Sequence, residues 1–290
     1  MSLTWPWHFV TVSPVEKQQR RELLTIRGYY AQGSMLLVIA IIRLYHIYSE
    51  STKSADKPNN RRARKPKSWL DSPIFPGWTE TRKQYIFTLL WLAWLVSLSI
   101  WNTGDDGLHL TKALGHVGLS QLPFQVLMSP ALYIAPSKPG APSPLSVLTA
   151  IPQPFLTPYH RLLGRLVLSP LLAGHAILYL SFFIQSSHPD FSSLLEKRIQ
   201  DADVQLGLGG ITIVTLLMGF ARPLGVSRGM WSWTTAPIKA KRQAFYIIHV
   251  FLVGALCSAA YFHVPQAQLF VLEAVLGFGI NVACGWTVKR

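Results

Sequence analysis

Acidic residues are scarce in this chain: 13 against 27 lysines and arginines among 290 residues, a formal net charge of +14. Charge of either sign makes up only 14%, well below the roughly 25% typical of soluble domains. Cysteine is nearly absent too. Cys257 and Cys284 both lie in apolar runs, which excludes a disulfide framework and a cysteine-based metal site and leaves them reading as small hydrophobes. The excess of positive charge does not read as a nucleic-acid surface, because the basic residues flank hydrophobic runs. No N-terminal stretch has the order of basic residues, apolar core and small-residue cleavage site of a signal peptide. The first apolar run is expected to act as an uncleaved start signal.

What the sequence has in quantity is apolar length. Half of its residues are hydrophobic, and runs near the roughly 20 residues needed to cross a bilayer recur along it. The expected spans are Gly28 to Tyr48, Gln84 to Trp101, Leu110 to Ile134, Arg161 to Phe183, Leu206 to Ala221, Gln243 to His263 and Gln266 to Trp286. The fold class is therefore an all-α polytopic membrane helix bundle of about seven transmembrane helices. Its parts are a tail (1–27), a first span (28–48), a basic loop (49–83), a transmembrane domain (84–286) and a short C-terminal tail (287–290). Pro123 interrupts the third span, and His109, Lys112 and His116 lie near its start. The fifth is rich in glycine, which permits close helix contact in lipid. Seven prolines between Pro136 and Pro158 predict an irregular loop packed under the bundle.

Lysine and arginine placement sets the orientation. The loop from Ser49 to Lys83 carries nine basic residues, and that from Arg222 to Arg242 carries five and no acid. Lys138, Arg161, Arg165, Lys289 and Arg290 fall on the same side. The opposite loops hold Asp105 and Asp106, then Asp190, Glu196, Asp201 and Asp203. The basic face is read as cytosolic, with the N-terminus outside and the C-terminus inside. Lys17, Arg20, Arg21 and Arg27 conflict with this, and a tail on the inner leaflet with one span fewer stays open. Arg61 to Lys67 reads as a solvated topogenic loop, with contact to anionic membrane lipid as the alternative.

Four of the nine histidines carry the chemistry. His160 opens the fourth span and His175 follows fifteen residues on; His249 opens the sixth and His263 follows fourteen residues on. Ionisable side chains inside a membrane usually mark a functional site. Fourteen residues at about 100° each bring His249 and His263 onto one helix face, about 21 Å apart along the axis. Two helices each presenting an upper and a lower imidazole would hold two stacked metal centres, and histidine is a normal axial ligand of haem iron. The expected pairs are His160 with His249 and His175 with His263. Fifteen residues overshoot four turns by about 60°, and Pro170 withdraws a hydrogen bond from Leu166. A wide π-type turn there would absorb the extra residue. His109 and His116, seven apart, are expected to pack near the outer surface. Two other classes remain open: a haem-free assembly or regulatory subunit, and a proton-relaying transporter, for which Glu273 is the sole acid inside a span.

The string Tyr159-His160-Arg161-Leu162-Leu163-Gly164-Arg165, followed by His175 and Tyr179, resembles the first haem helix of ferric reductase transmembrane domains. Arg242 to His249 with His263 resembles that family's second haem helix, and Gly115 to Pro130 its preceding span. The basic loop and the first span are most similar to fungal metalloreductases. The resemblance implies a six-helix core with two b-type haems, each held by one histidine from each helix. It implies electron flow from a cytosolic flavin to extracellular ferric iron or cupric copper, or to oxygen as in the related NADPH oxidases. Arg161 and Arg165 would pair with haem propionates. The chain departs from the family at Leu162, where an aromatic is usual, and in the fifteen-residue spacing. No GxGxxG turn after a strand occurs within these residues. The expectation is that FAD and NADPH act only through a missing domain or a flavoprotein partner. Plasma membrane is the expected location, with a vacuolar or other endomembrane as the alternative.

Overall fold

A computed structural model of the chain describes residues 7–8, 10, 13–55, 68–76, 78–130, 142–220 and 237–287. Among these, six helices are long and apolar enough to cross a membrane. They are α1 (Pro14–Ala55), α2 (Arg82–Ile100), α9 (Ala202–Phe220), α10 (Ile238–His263), α11 (Gln268–Thr287), and a continuous rod made of α6 (Gln153–Leu163), a π-helical turn (Gly164–Leu168) and α7 (Ser169–Gln185). The protein is an integral membrane helix bundle. Leu36, Leu37, Ile41 and Leu44 on α1, and Leu272, Val275 and Leu276 on α11, are exposed as lipid-facing residues should be.

The third expected span is divided into α3 (Gly107–Ser120) and α4 (Leu122–Leu127). Pro123 stands in the first turn of α4, where its missing N–H costs nothing. Residues 131–134 of that span lie outside the described residues. α3 is wrapped by α1, α2 and α7, and α4 by α11. This segment carries His109, Thr111, His116, Ser120 and Gln121 because its polar groups meet protein instead of lipid; all five are buried. At its far end Asn281 of α11 donates to the carbonyls of Val126 (2.9 Å) and Ser129 (3.0 Å) and so ties α11 to the end of α4.

One expectation needs correction. The proline-rich segment is not irregular throughout: α5 (Pro144–Thr149) forms within it and α6 begins at Gln153. Pro144 and Pro154 occupy first-turn positions, where proline's fixed φ suits a helix. His109 and His116 pack as expected, 3% and 7% exposed, in the part of α3 that follows the α2–α3 turn. The first helix also starts earlier than Gly28, because Ser13 and Glu16 bond each other at its N-terminus.

The tail of α1 lies at the end of the bundle that holds the α2–α3 turn. His8 bonds backbone to backbone with Asp105 and Gly107, and Arg20 pairs with Asp106. The opposite end carries a foot formed by residues 68–76 and 78–81, with Trp69 and Phe75 exposed and Arg82 stacked over Trp69 at 4.6 Å. Exposed aromatics with a cation beside them suit a membrane–water interface. Residues 56–67, 221–236 and 288–290, which hold much of the basic charge, lie outside the described residues.

Candidate functional site

Two helical units face each other across the site. The α6–α7 rod leans on α2 and α3, and α10 leans on α9 and α11, with only slight packing between the rod and α10. What bridges them is imidazole. His160 and His249 lie with ring centroids 6.3 Å apart and planes at 70°; His175 and His263 lie 6.3 Å apart at 83°. Both expected pairs are thus brought together, at two levels.

The π turn makes this possible. The backbone N–H of Ser169 reaches back five residues to the carbonyl of Gly164, which also accepts from the Ser169 hydroxyl at 2.8 Å. The wide turn takes up the fifteenth residue, so His175 returns to the face of His160. Pro170 sits just beyond, in the first turn of α7.

Backbone carbonyls orient three of the four rings. Nδ1 of His160 lies 2.9 Å from the carbonyl oxygen of Gln125, and Nδ1 of His175 lies 2.8 Å from that of Thr111. Nδ1 of His263 meets the carbonyl oxygen of Asp203. A carbonyl only accepts, so each Nδ1 carries the proton and each Nε2 keeps its lone pair. That is the outer-shell arrangement metal-binding histidines adopt. His249 has no such partner among the described residues; Phe245 stacks on its ring at 5.4 Å. α3–α4 therefore serves both levels, through Thr111 at one and Gln125 at the other.

Glycines give the rings space. A Cβ on Gly115 would lie 2.7 Å from Nδ1 of His175, and one on Gly207 would lie 2.9 Å from Cε1 of His263. Tyr179 sets its ring edge-on to His175 at 5.1 Å. Beside the lower level, the carboxylate of Glu80 is fully buried and takes both Arg161 (3.1 Å) and Arg165 (3.4 Å), while Arg161 also donates to Thr79 at 3.0 Å. Sequence reasoning missed Glu80, Gly115 and Gly207. The one signal for Glu80 was an acid at the edge of a loop carrying nine bases.

Among the described residues no three His, Cys, Asp or Glu side chains converge on a common point. A metal held here would have two protein ligands per level and would need the rest from elsewhere. Two metal–imidazole bonds of about 2.0 Å each, plus the two ring radii, come to roughly the centroid separation seen at both levels. A flat macrocycle supplying four donors would meet that requirement.

Fold and site together define a polytopic membrane protein with two stacked histidine pairs. Residues 114–260, from α3 into α10, match the family described as ferric reductase like transmembrane component. This is about half of the chain, and the protein belongs to that family. The match contains His160, His175 and His249, and His263 follows three residues beyond it. No curated protein and no solved structure matches the chain.

Proposed function

We propose that this protein carries electrons across a membrane through two haems b, one between His160 and His249 and one between His175 and His263. The observation that carries the reading is the equal 6.3 Å separation of two histidine pairs, with Nδ1 of three rings committed to backbone carbonyls. Bound haem supplies a one-electron Fe(III)/Fe(II) couple at each level. The chain's own residues do the rest. Thr111, Gln125 and Asp203 hold the rings in the tautomer that leaves Nε2 as ligand. Leu168 on the rod and Cys257 and Ala260 on α10, buried in one apolar cluster, exclude water. Arg161 and Arg165, steadied by Glu80, supply positive charge for the carboxylates of the lower group; their planar forks suit carboxylate oxygens.

Electrons enter, in this reading, on the face of the basic loops, which is cytosolic, with the N-terminus outside. The donor is a reduced flavin fed by NADPH, on a domain or partner outside these residues. The acceptor on the opposite face is ferric iron or a cupric chelate, with oxygen as the alternative, and the membrane is the plasma membrane. His249→Ala is expected to remove one haem of two and abolish transmembrane electron flow. Dithionite-reduced spectra of the purified variant check this, and unchanged haem content in it would refute the assignment.

A further inference from the structure

The cations on the first helix do not fit the topology that the rest of the chain obeys. Lys17, Arg20, Arg21, Leu24, Arg27 and Gly28 follow one another at helical spacing and form one stripe of α1. The lower part of the stripe is buried against α3: Leu24 is 5% exposed and Arg27 is fully buried. The upper part lies beside the α2–α3 turn, on the end of the bundle opposite Ser68 and the start of α2. Four cations on the translocated side work against correct insertion, so their retention calls for a reason.

Their surroundings sharpen the point. Lys112, exposed on α3, lies close enough to Arg21, Lys17 and Arg20 to be repelled by all three. Arg27 donates to the carbonyl of Trp101 and meets Nε2 of His109 at 3.0 Å, both neutral, and its Nε has no partner among the described residues. The acids nearby are few. Asp106 pairs with Arg20 while capping α3 through Leu108, and Glu16 is held by Ser13 within range of Arg20. Glu22 bonds Gln18 on another side of α1. Five cations thus lie near two engaged carboxylates and the exposed Asp105 of the α2–α3 turn, at a cost in mutual repulsion that an anion would relieve.

The cluster also adjoins the upper histidine pair. Lys112 follows Thr111, whose carbonyl holds His175. We propose that Lys17, Arg20, Arg21 and Lys112, backed by Arg27, form the dock for the electron acceptor, and that the acceptor is a polyanionic carboxylate chelate of a trivalent metal. The inference rests on the reading of His175–His263 as the last electron-carrying level. A neutral acceptor such as oxygen gains nothing from five cations; a chelate rich in carboxylates gains attraction and a faster encounter. The reaction at the dock is outer-sphere: one electron leaves the upper site, Fe(III) in the chelate becomes Fe(II), and no bond to protein forms or breaks. The electron originates in the reduced flavin on the other face.

Gallium(III) citrate tests the dock without electron transfer, because it matches a ferric carboxylate chelate in charge and cannot be reduced under these conditions. Calorimetry on the purified full chain should show binding that weakens as potassium chloride rises. Lys17→Glu combined with Arg21→Glu should weaken it at least tenfold, whereas Lys17→Arg with Arg21→Lys should retain it. Lys112→Gln, which removes a single exposed charge, gives a second reading should the double reversal fold poorly. Binding that ignores these changes, or absence of binding by the native chain, overturns the proposal. So does a cluster that co-purifies with anionic phospholipid, lost on charge reversal, while gallium citrate does not bind. Haem content is read separately from the absorption spectrum, so its absence would sink the redox reading and leave the binding result standing.

Discussion

At the scale of single residues, the two glycines beside the upper imidazoles are as constrained as the imidazoles themselves. Gly115 faces His175 so closely that one methyl group would lie 2.7 Å from Nδ1, the atom already committed to Thr111. The ring cannot retreat without losing that bond, and α3 cannot retreat without opening its packing on α7. Gly115→Ala should therefore displace the upper ring at a cost of about 1–3 kcal/mol of overpacking. The expected outcome is loss of one haem per chain with the lower one retained, read from the reduced spectrum. Gly33→Ala, with open space around its Cβ, serves as the control and should leave haem content unchanged. Glu80 is the matching constraint below. Its carboxylate is fully buried between two arginines that keep some solvent contact, so Glu80→Ala leaves two partly buried cations without their common acid. A loss of about 3 kcal/mol is expected, visible as a lower thermal midpoint in detergent, with Glu80→Asp milder than Glu80→Ala.

At the scale of elements, the π turn between α6 and α7 is the feature that brings His175 back to the face of His160. Its need was legible from arithmetic alone, since fifteen residues overshoot four turns and Pro170 already weakens the ladder there. Removing one residue from the wide turn should restore an ordinary helix with the same faces. Deletion of Leu166 is expected to keep two haems per chain, and insertion of an alanine after Leu166 is expected to lose one, both measured by haem-to-protein ratio. Other elements were less legible, for identifiable reasons. α5 and the start of α6 were hidden by proline, whose count argues against helix until first-turn positions are known. The split at Gln121 and the burial of α3 were hidden because a helix surrounded by protein has no lipid-facing stripe to announce it. Glu80 was hidden because its partners lie more than eighty residues away and no local pattern links them. The histidine pairing was legible because a helix period converts sequence separation into direction. The carbonyls that orient the rings were not, since backbone atoms carry no sequence signature.

At the scale of the whole molecule, charge asymmetry and electron direction are one question. The α2–α3 turn, the connection from α7 through the short helix α8 (Leu194–Arg198) to α9, and the start of α1 share one end of the bundle; the aromatic foot and the α5–α6 segment share the other. If the foot faces the cytosol, the flavin-side electron meets the His160–His249 level first, and the cations of α1 face the outside, where metal chelates would arrive. Cysteine labelling decides this. Asp190 and Ser68 are exposed at opposite ends, and the native Cys257 and Cys284 lie inside α10 and α11. Asp190→Cys should react with a membrane-impermeant maleimide in intact cells, and Ser68→Cys only after permeabilisation. The reverse pattern would put Lys17, Arg20 and Arg21 in the cytosol beside the electron source. The excess of positive charge would then obey the inside rule through α1 alone while the longer basic loops broke it, and a dock for an external chelate would have no place on this protein.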